Sequence, residues 1–549
     1  MAGGILSSRV FGLVRESTVA YVFGVGGHAD VLGAAMRGPN LLQNLLGEQT
    51  LSASFIPAYS KLLGEGRFRD AGRLAGAMFG LLCAASAALA LIGIALAPQV
   101  VAIMMPGFLG DTQKVAAGIS TIDRYPLAVT AVRILFPMTG FLVLSAWALG
   151  VLNSHRRFFL PYFAPVVWNA AIIGALLFGA FGWTDGPERG TADLDRLLVL
   201  VCWAALAGGL LQFLIQLPTV LRISEGLRVS FSTRVAGVRD TLRALGPMLG
   251  ARGAAQLSAY LDQVLASFLA VGAITGLRYG SILYLLPFAL FAGSVAAAEL
   301  PELSRGALSK DPEALVRRAR RALRQIAFLI VPTVVGYLAF GYLIVGCIYR
   351  RGRFGAEENW LVFAILAGYS LGLLASAWSR LLQNLYYAHG NTRVPAATAV
   401  LRMVVSAGVG VTLMLWLDRF GVQSLSSSAP TGDLRLGGVG LALASAVAAW
   451  LEFGVLRWRS RGSVAPFALP WDALLRMVLL AVAALVPGLG LWFLLSDLPP
   501  WMSAPAVTGV FVATYLGVSR WLGWTELSLW LGRLGAGNEE PTDLTDGRK

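Results

Sequence analysis

Apolar runs of about twenty residues recur along the whole chain, each long enough to cross the roughly 30 Å hydrocarbon core of a bilayer as a helix. Residues 74–97, 197–217, 326–348, 477–494 and 502–518 are examples, and short polar turns separate them. The pattern predicts an all-α polytopic membrane protein with about fourteen transmembrane helices. Six fall before residue 222, over 5–24, 31–63, 71–105, 127–153, 161–181 and 197–221. The remainder fall over 241–271, 276–300, 319–349, 360–388, 395–417, 437–457, 471–494 and 501–521.

Composition agrees with this pattern. Of 549 residues 56% are hydrophobic and 13% charged, and the mean hydropathy is +0.68. A soluble chain carries about 25% charged residues, so this one has too little polar surface to cover itself in water. The net charge of +14 would suggest nucleic acid in a soluble protein, but here the cations sit in loops. Residues 61–73, 155–157, 222–243, 305–324 and 457–461 are basic, whereas 182–196 and 418–437 are neutral or mixed. By the positive-inside rule the basic set is cytoplasmic, and an even number of crossings puts both termini there as well. Arg350, Arg351 and Arg353 break the alternation, offset in part by Glu357 and Glu358.

Cys83, Cys202 and Cys347 lie within or beside apolar runs without metal-ligand spacing and are read as packing residues. His28, His155 and His389 share no spacing and are read as interfacial. Trp471, Trp501, Trp521 and Trp524 fit an aromatic belt. Residues 1–6 have no charged leader, so the first helix is read as a retained span. The long basic loop 222–243 suggests a lobe boundary, giving an N-terminal lobe 1–221, a C-terminal lobe 222–457, two additional helices within 458–534 and a polar, disordered tail 535–549. Turns 152–161 and 385–395, each polar and ending in proline, occupy matching places in the two lobes. Repeated lobes suit a transporter that rocks about a central site.

Charges inside spans cost at least about 2.5 to 3.5 kcal/mol each, so their placement is informative. Arg9, Arg15 and Glu16 fall in the first span, and Asp30, Arg37 and Glu48 in or near the second. Arg9 and Glu16 are seven residues apart and share a helical face, which an interior cavity would satisfy. Arg133, Arg278, Arg380 and Arg402 lie near enough to span ends to snorkel or to face the interior. Arg252 and Asp262, with Gln256 between them, are deeper, either lining a cavity or pairing within the bundle. More arginine than carboxylate suits an anionic cargo, because guanidinium forks hold phosphate oxygens and keep their charge when partly dehydrated.

Specific residues now suggest a family. Ser8-Arg9-Val10-Phe11-Gly12-Leu13-Val14-Arg15-Glu16, then Phe23-Gly24, Ala29-Asp30, Pro39-Asn40-Leu41-Leu42, Gly47-Glu48 and Leu51-Ser52-Ala53-Ser54-Phe55-Ile56-Pro57 closely resemble the N-terminal signature of the MurJ/MviN lipid II flippases. Phe163-Ala164-Pro165, Gly246-Pro247, Leu303-Ser304-Arg305, Arg351-Gly352-Arg353-Phe354 and Thr392-Arg393-Val394-Pro395 follow in family order, so the resemblance spans essentially the whole chain. It implies the multidrug/oligosaccharidyl-lipid/polysaccharide exporter fold: two six-helix lobes in a V around a central cavity, plus two C-terminal helices forming a groove for lipid tails. It further implies a substrate, the undecaprenyl-pyrophosphate-linked peptidoglycan precursor, moved from the inner to the outer leaflet of the bacterial cytoplasmic membrane. No enzyme activity, cofactor or metal is expected. The expected partners are the lipid-linked anionic sugar, membrane lipids and the cell-wall synthesis machinery, without nucleic acid.

By matching position the resemblance makes Arg9, Arg15 and Asp30 cavity residues, with the two arginines near pyrophosphate and sugar. The candidate substrate set is Arg9, Arg15, Glu16, Asp30, Arg37, Glu48, Arg252, Asp262 and Arg278. There are departures: Gln43 and Asn44 stand where the family usually has two arginines, and Ile282 where it has another. Arg278, one turn earlier, and Arg252 are candidates to compensate. An exporter of another polyprenyl-linked glycan on the same fold is the first alternative. A membrane-embedded glycosyl-lipid transferase is the second, resting on Asp193-Leu194-Asp195, a spacing that can hold a divalent metal but without a partner His or Glu cluster in sequence.

Overall fold

The computed structural model describes residues 2–118, 122–182, 190–243, 260–296, 299, 312–425, 434–463, 469–524 and 526–527. Over these the chain is an all-α polytopic membrane protein. Among the described residues ten helices are long and apolar enough to cross a membrane, or eleven if a pair bent by 40°, Ala356–Ser370 and Leu373–Ala388, forms one span. The first helix, α1 (Ala2–Phe23), carries Arg9, Arg15 and Glu16 and falls outside those ten.

The expected second helix, 31–63, is broken in two, α2 (Gly27–Leu46) and α3 (Glu48–Gly64), at Gly47. Gly47 serves the break because a side chain there would overlap the Gln43 carbonyl. The third expected helix divides likewise into α4 (Phe68–Ala95) and α5 (Ala97–Met104). Next come α6 (Asp111–Ala116), α7 (Arg124–Ser154), α8 (Phe159–Gly182), α9 (Thr191–Leu214) and α10 (Leu217–Ile223). Residues 238–243 and 260–267 are helical, and α11 (Ala273–Pro287) runs on into a π-helical turn, Phe288–Gly293. The later helices are α12 (Pro312–Tyr349), α13 (Ala356–Ser370), α14 (Leu373–Ala388), α15 (Arg393–Leu417), α16 (Gly437–Ser463), α17 (Trp471–Leu494) and α18 (Pro500–Trp521). At 38 residues α12 is roughly 57 Å long. It therefore extends beyond the hydrocarbon, and its first turns carry Arg317, Arg318, Arg320, Arg321 and Arg324.

Contacts divide the chain into two units. The first comprises residues 1–278, 351–358 and 418–438. In it α1 packs on α8, and α7 lies at the centre against α2, α3, α4 and α9. Trp147 of α7 is buried and donates its indole N–H to the Ala75 carbonyl at 3.1 Å. Glycines at 72, 76 and 80 form one face of α4, and the extended segment 225–231 lies directly on it, with Ser230 N donating to Gly76 O at 3.4 Å. The basic turn that broke the loop alternation has a structural place in this unit. Arg353 N donates to the Tyr21 carbonyl at the end of α1 at 2.9 Å, and Gly352 adopts φ +59° where the backbones meet.

The second unit comprises 279–350, 359–417 and 439–549. Its core forms around α12, where Trp378 of α14 donates to the Leu323 carbonyl at 3.1 Å and Tyr515 of α18 to the Phe328 carbonyl at 3.0 Å. The buried Glu452 of α16 is held by Arg402 of α15 and Gln383 of α14, each at 3.0 Å. Arg402, itself half-buried, thus pairs with a buried carboxylate of this bundle.

Candidate functional site

The polar side of α1 does two different things. Arg9 and Ser8 open on a cavity of about 340 Å³ inside the first unit, whose other polar walls are Gln43, Ser145, Tyr162 and Gln212. Ser145 Oγ there accepts from Gln212 Nε2 at 3.0 Å and from Gln216 Nε2 at 2.7 Å, so the two buried amides are fixed rather than free to turn. Two turns further along, Glu16 is buried and bridges two arginines. Its Oε1 lies 2.6 Å from Arg15 Nη2 and 2.5 Å from Arg278 Nη2, while Oε2 is buried without a hydrogen-bond partner. Arg15 also lies over the Trp168 ring at 4.8 Å. Arg278 crosses α2 at Gly33, where a Cβ would come within 3.1 Å of its Nη1. A glycine at that position lets the guanidinium reach Glu16.

Asp30 belongs to a separate, fully buried node. Oδ2 accepts from Gly272 N at 2.7 Å, and Oδ1 from Thr275 N at 2.9 Å and Thr275 Oγ1 at 2.7 Å. Arg124 Nη1 reaches Oδ2 at 3.2 Å, and the same guanidinium takes Asp111 through Nε at 2.5 Å and Nη2 at 3.2 Å. Its other face covers Phe108 at 4.3 Å. A carboxylate at the start of α2 thus caps the N-terminus of α11, where backbone N–H groups lack intrahelical acceptors. With these contacts filled, Asp30 offers little surface to a ligand in this conformation. Sequence reasoning singled out Asp30 but missed Arg124, Asp111 and Thr275. No spacing to Asp30 marks them, since Arg124 lies 94 and Thr275 245 residues from it.

The remaining candidates divide. The Arg37 carbonyl accepts from the Tyr260 hydroxyl, and Asp262 is half-buried in the helical segment 260–267. Glu48 begins α3, its side chain outside the described set, and Arg252 with Gln256 lies outside the described residues. Of the departures, Gln43 stands in the Arg9 cavity and Asn44 is exposed. Asp195, of the acidic motif beginning α9, gains a partner invisible in sequence: His28 Nε2 lies 2.7 Å from its Oδ1. Among the described residues no group of three His, Cys, Asp or Glu could hold a metal.

A family model described as "Lipid II flippase MurJ" matches residues 19–511. "Lipid II flippase MurJ" of Burkholderia cenocepacia is 31% identical over 410 residues, covering 74% of this chain and 75% of that protein. "Probable lipid II flippase MurJ" of Haemophilus influenzae is 27% identical over 526 residues, covering 94% of each. A solved structure titled "Lipid II flippase MurJ, inward closed conformation" matches with a TM-score of 0.71 at 21% identity, covering 95% of this chain and 99% of that one. An inward-facing multidrug resistance MATE family transporter of the MOP superfamily matches at TM-score 0.61 and 14% identity, over 83% and 96% of the two chains. At these identities the structural likenesses establish the fold.

Proposed function

The chain belongs to the MurJ lipid II flippase family, and from that premise we propose that it carries lipid II across the bacterial inner membrane by alternating access. The observation that carries the reading is the polar side of α1, with Arg9 opening on a chamber and Arg15 held beside Glu16 and Arg278. A pyrophosphate-sugar head cannot shed its hydration into hydrocarbon unaided. A cationic chamber replaces that water while the prenyl chain stays in lipid. Glu16 keeps Arg15 and Arg278 ordered before cargo arrives, and an entering pyrophosphate competes for their guanidinium forks. Arg278 is thereby the compensating cation for the family arginine replaced by Ile282.

The wider arrangement follows from the same reading. Lobes 1–221 and 222–457 rock about the substrate, helices within 458–534 receive the lipid tail, and both termini are cytoplasmic. Arg37, Glu48, Arg252 and Asp262 complete the site around Arg9, Arg15, Glu16 and Arg278, while Asp30 ties α2 to α11 without meeting the cargo. The protein is a carrier, not a catalyst, and the cell-wall synthesis machinery is its expected neighbour. Moving net positive charge couples such a cycle to membrane potential at about 2.3 kcal/mol per charge per 100 mV. Gln43 in the Arg9 chamber, where the family has arginine, favours one second reading, export of another polyprenyl-linked glycan.

The test is leaflet-resolved detection of lipid II in cells where this chain is the only flippase. Outer-leaflet lipid II with the wild type, and its loss with Arg9→Ala or Arg278→Ala at equal membrane abundance, is the expected result. Inner-leaflet accumulation with the wild type would move the cargo to another glycan. Normal flipping by both variants would remove the arginine mechanism.

A further inference from the structure

The second unit contains a charged cleft of about 470 Å³ at the ends of the two C-terminal helices, to which the flippase reading assigns the cargo's tail but no headgroup. It is walled by the basic early part of α12, the start of α17 and the end of α18, and three arginines, Arg320, Arg324 and Arg476, face two carboxylates, Asp472 and Glu526. Glu526 is buried and already taken by Arg324 Nη2, while Arg324 Nε is buried with no hydrogen-bond partner. Arg320 and Arg476 are exposed and form no ion pair among the described residues. The cleft therefore holds an orphaned buried donor and two uncommitted guanidinium groups, a set that an acceptor-rich anion would satisfy.

The helix ends strengthen this sign. The N-cap of α17 is Pro470, which supplies no side-chain acceptor, so the positive end of a 24-residue helix opens on the cleft. The negative end of α18 is closed off. Trp524 N donates to Ser519 O and Gly523 N to Arg520 O, both at 3.0 Å, with Gly523 at φ +68°, the pattern of a Schellman cap.

The position of the cleft identifies the source of the anion. Trp524 lines it, and Trp471 and Trp521 beside it are 59% and 84% exposed, the residue type that marks headgroup depth. From Trp471 an exposed apolar row continues along α17 through Leu475 and Leu479 at four-residue spacing. A soluble phosphate would gain nothing from that row, whereas an acyl chain would lie along it.

We propose that this cleft binds the phosphodiester headgroup of an anionic bilayer phospholipid, with Arg320, Arg324 and Arg476 on the phosphate and an acyl chain along Trp471, Leu475 and Leu479. The cleft holds the headgroup of a resident bilayer lipid, with its acyl chain on α17, one of the helices proposed to receive the cargo's tail, and it stands whether or not the cargo is lipid II.

The full-length protein in detergent, titrated with phosphatidylglycerol or phosphatidylcholine and read by native mass spectrometry, tests it. Arg320→Gln/Arg476→Gln should weaken phosphatidylglycerol binding about tenfold, and each single exchange should show part of that loss. Both side chains are exposed, so folding, checked by melting, should hold. Arg222→Gln/Arg234→Gln, which removes the same charge from exposed positions in another basic segment, should leave the affinity unchanged. Equal loss in that control would reduce the effect to net charge and overturn the site. Unchanged affinity in the cleft variant, equal retention of phosphatidylcholine, or full displacement of the lipid by millimolar inorganic phosphate would overturn it as well.

Discussion

Exchanging Asp30 for asparagine alters almost no volume yet removes a charge that four donors share. An amide has one acceptor oxygen, so it can serve either Thr275 or the Gly272 and Arg124 pair, and its NH2 then faces donors. Two hydrogen bonds to a charged group are lost, at about 1.5 to 3 kcal/mol each. Arg124 keeps both bonds to Asp111, and the Thr275 hydroxyl can turn to accept from the new amide, which recovers about 1 kcal/mol. The expected net cost is about 3 kcal/mol, confined to the α2–α11 junction. At about 1.4 kcal/mol per factor of ten, the amides of Gly272 and Thr275 should exchange with deuterium roughly 100-fold faster. Arg124→Gln should cost more, about 3 to 5 kcal/mol, because it leaves Asp30 buried without a countercharge and Asp111 with only Lys114, 3.5 Å away. Thr275→Val, which loses one bond, should cost least. Hydrogen exchange by mass spectrometry and thermal melting in nanodiscs read all three. Wild-type protection at Gly272 and Thr275 in Asp30→Asn, or a reversed ranking, would refute the cap.

Other consequences are open to direct measurement. Gly76→Val would drive a side chain into the Arg228 carbonyl, so the 225–231 segment must lift from α4; a lower melting temperature and new proteolysis near residue 228 are expected. Arg402→Ala leaves the buried Glu452 with only the Gln383 amide and should destabilise the protein by about 3 kcal/mol, while Arg402→Ala/Glu452→Gln should recover most of that in the same melting assay. Partial burial at the end of α7 pushes the His155 imidazole below its ordinary value, with Tyr59 Oη 3.0 Å from Nε2. The unfolded chain then binds the proton more readily, so this contribution is complete above the unfolded value near 6.5 and is lost as pH falls toward the folded one. His155→Gln should flatten the acid side of the melting-temperature profile between pH 5 and 7, and parallel profiles would remove His155 as the cause.

Much of the site was legible one residue at a time. Arg9, Arg15 and Glu16 stood out because charge inside an apolar run is costly, and the structure gives each a polar setting. What periodicity could not supply was the grouping. The seven-residue spacing put Arg9 and Glu16 on one face, yet Arg9 meets a chamber and Glu16 a pair of arginines, because different helices cover α1 at the two levels. Asp30 was found, but its role as a cap depended on Gly272 and Thr275, more than 240 residues away.

The sequence by itself determined that this is a helical membrane protein with arginine in its opening helix, since hydrocarbon thickness and the cost of buried charge act on local composition. Only the tertiary structure decided which charges meet. Hydrogen bonds and ion pairs need atoms within about 3 Å, and the neighbours of Asp30, Glu16 and Asp195 come from elements that only packing brings together. Helix breaks divide between the two, because the one at Gly47 is local, its close contact being the Gln43 carbonyl four residues back, whereas at the 40° bend after Ser370 Gly372 lies against Ala446.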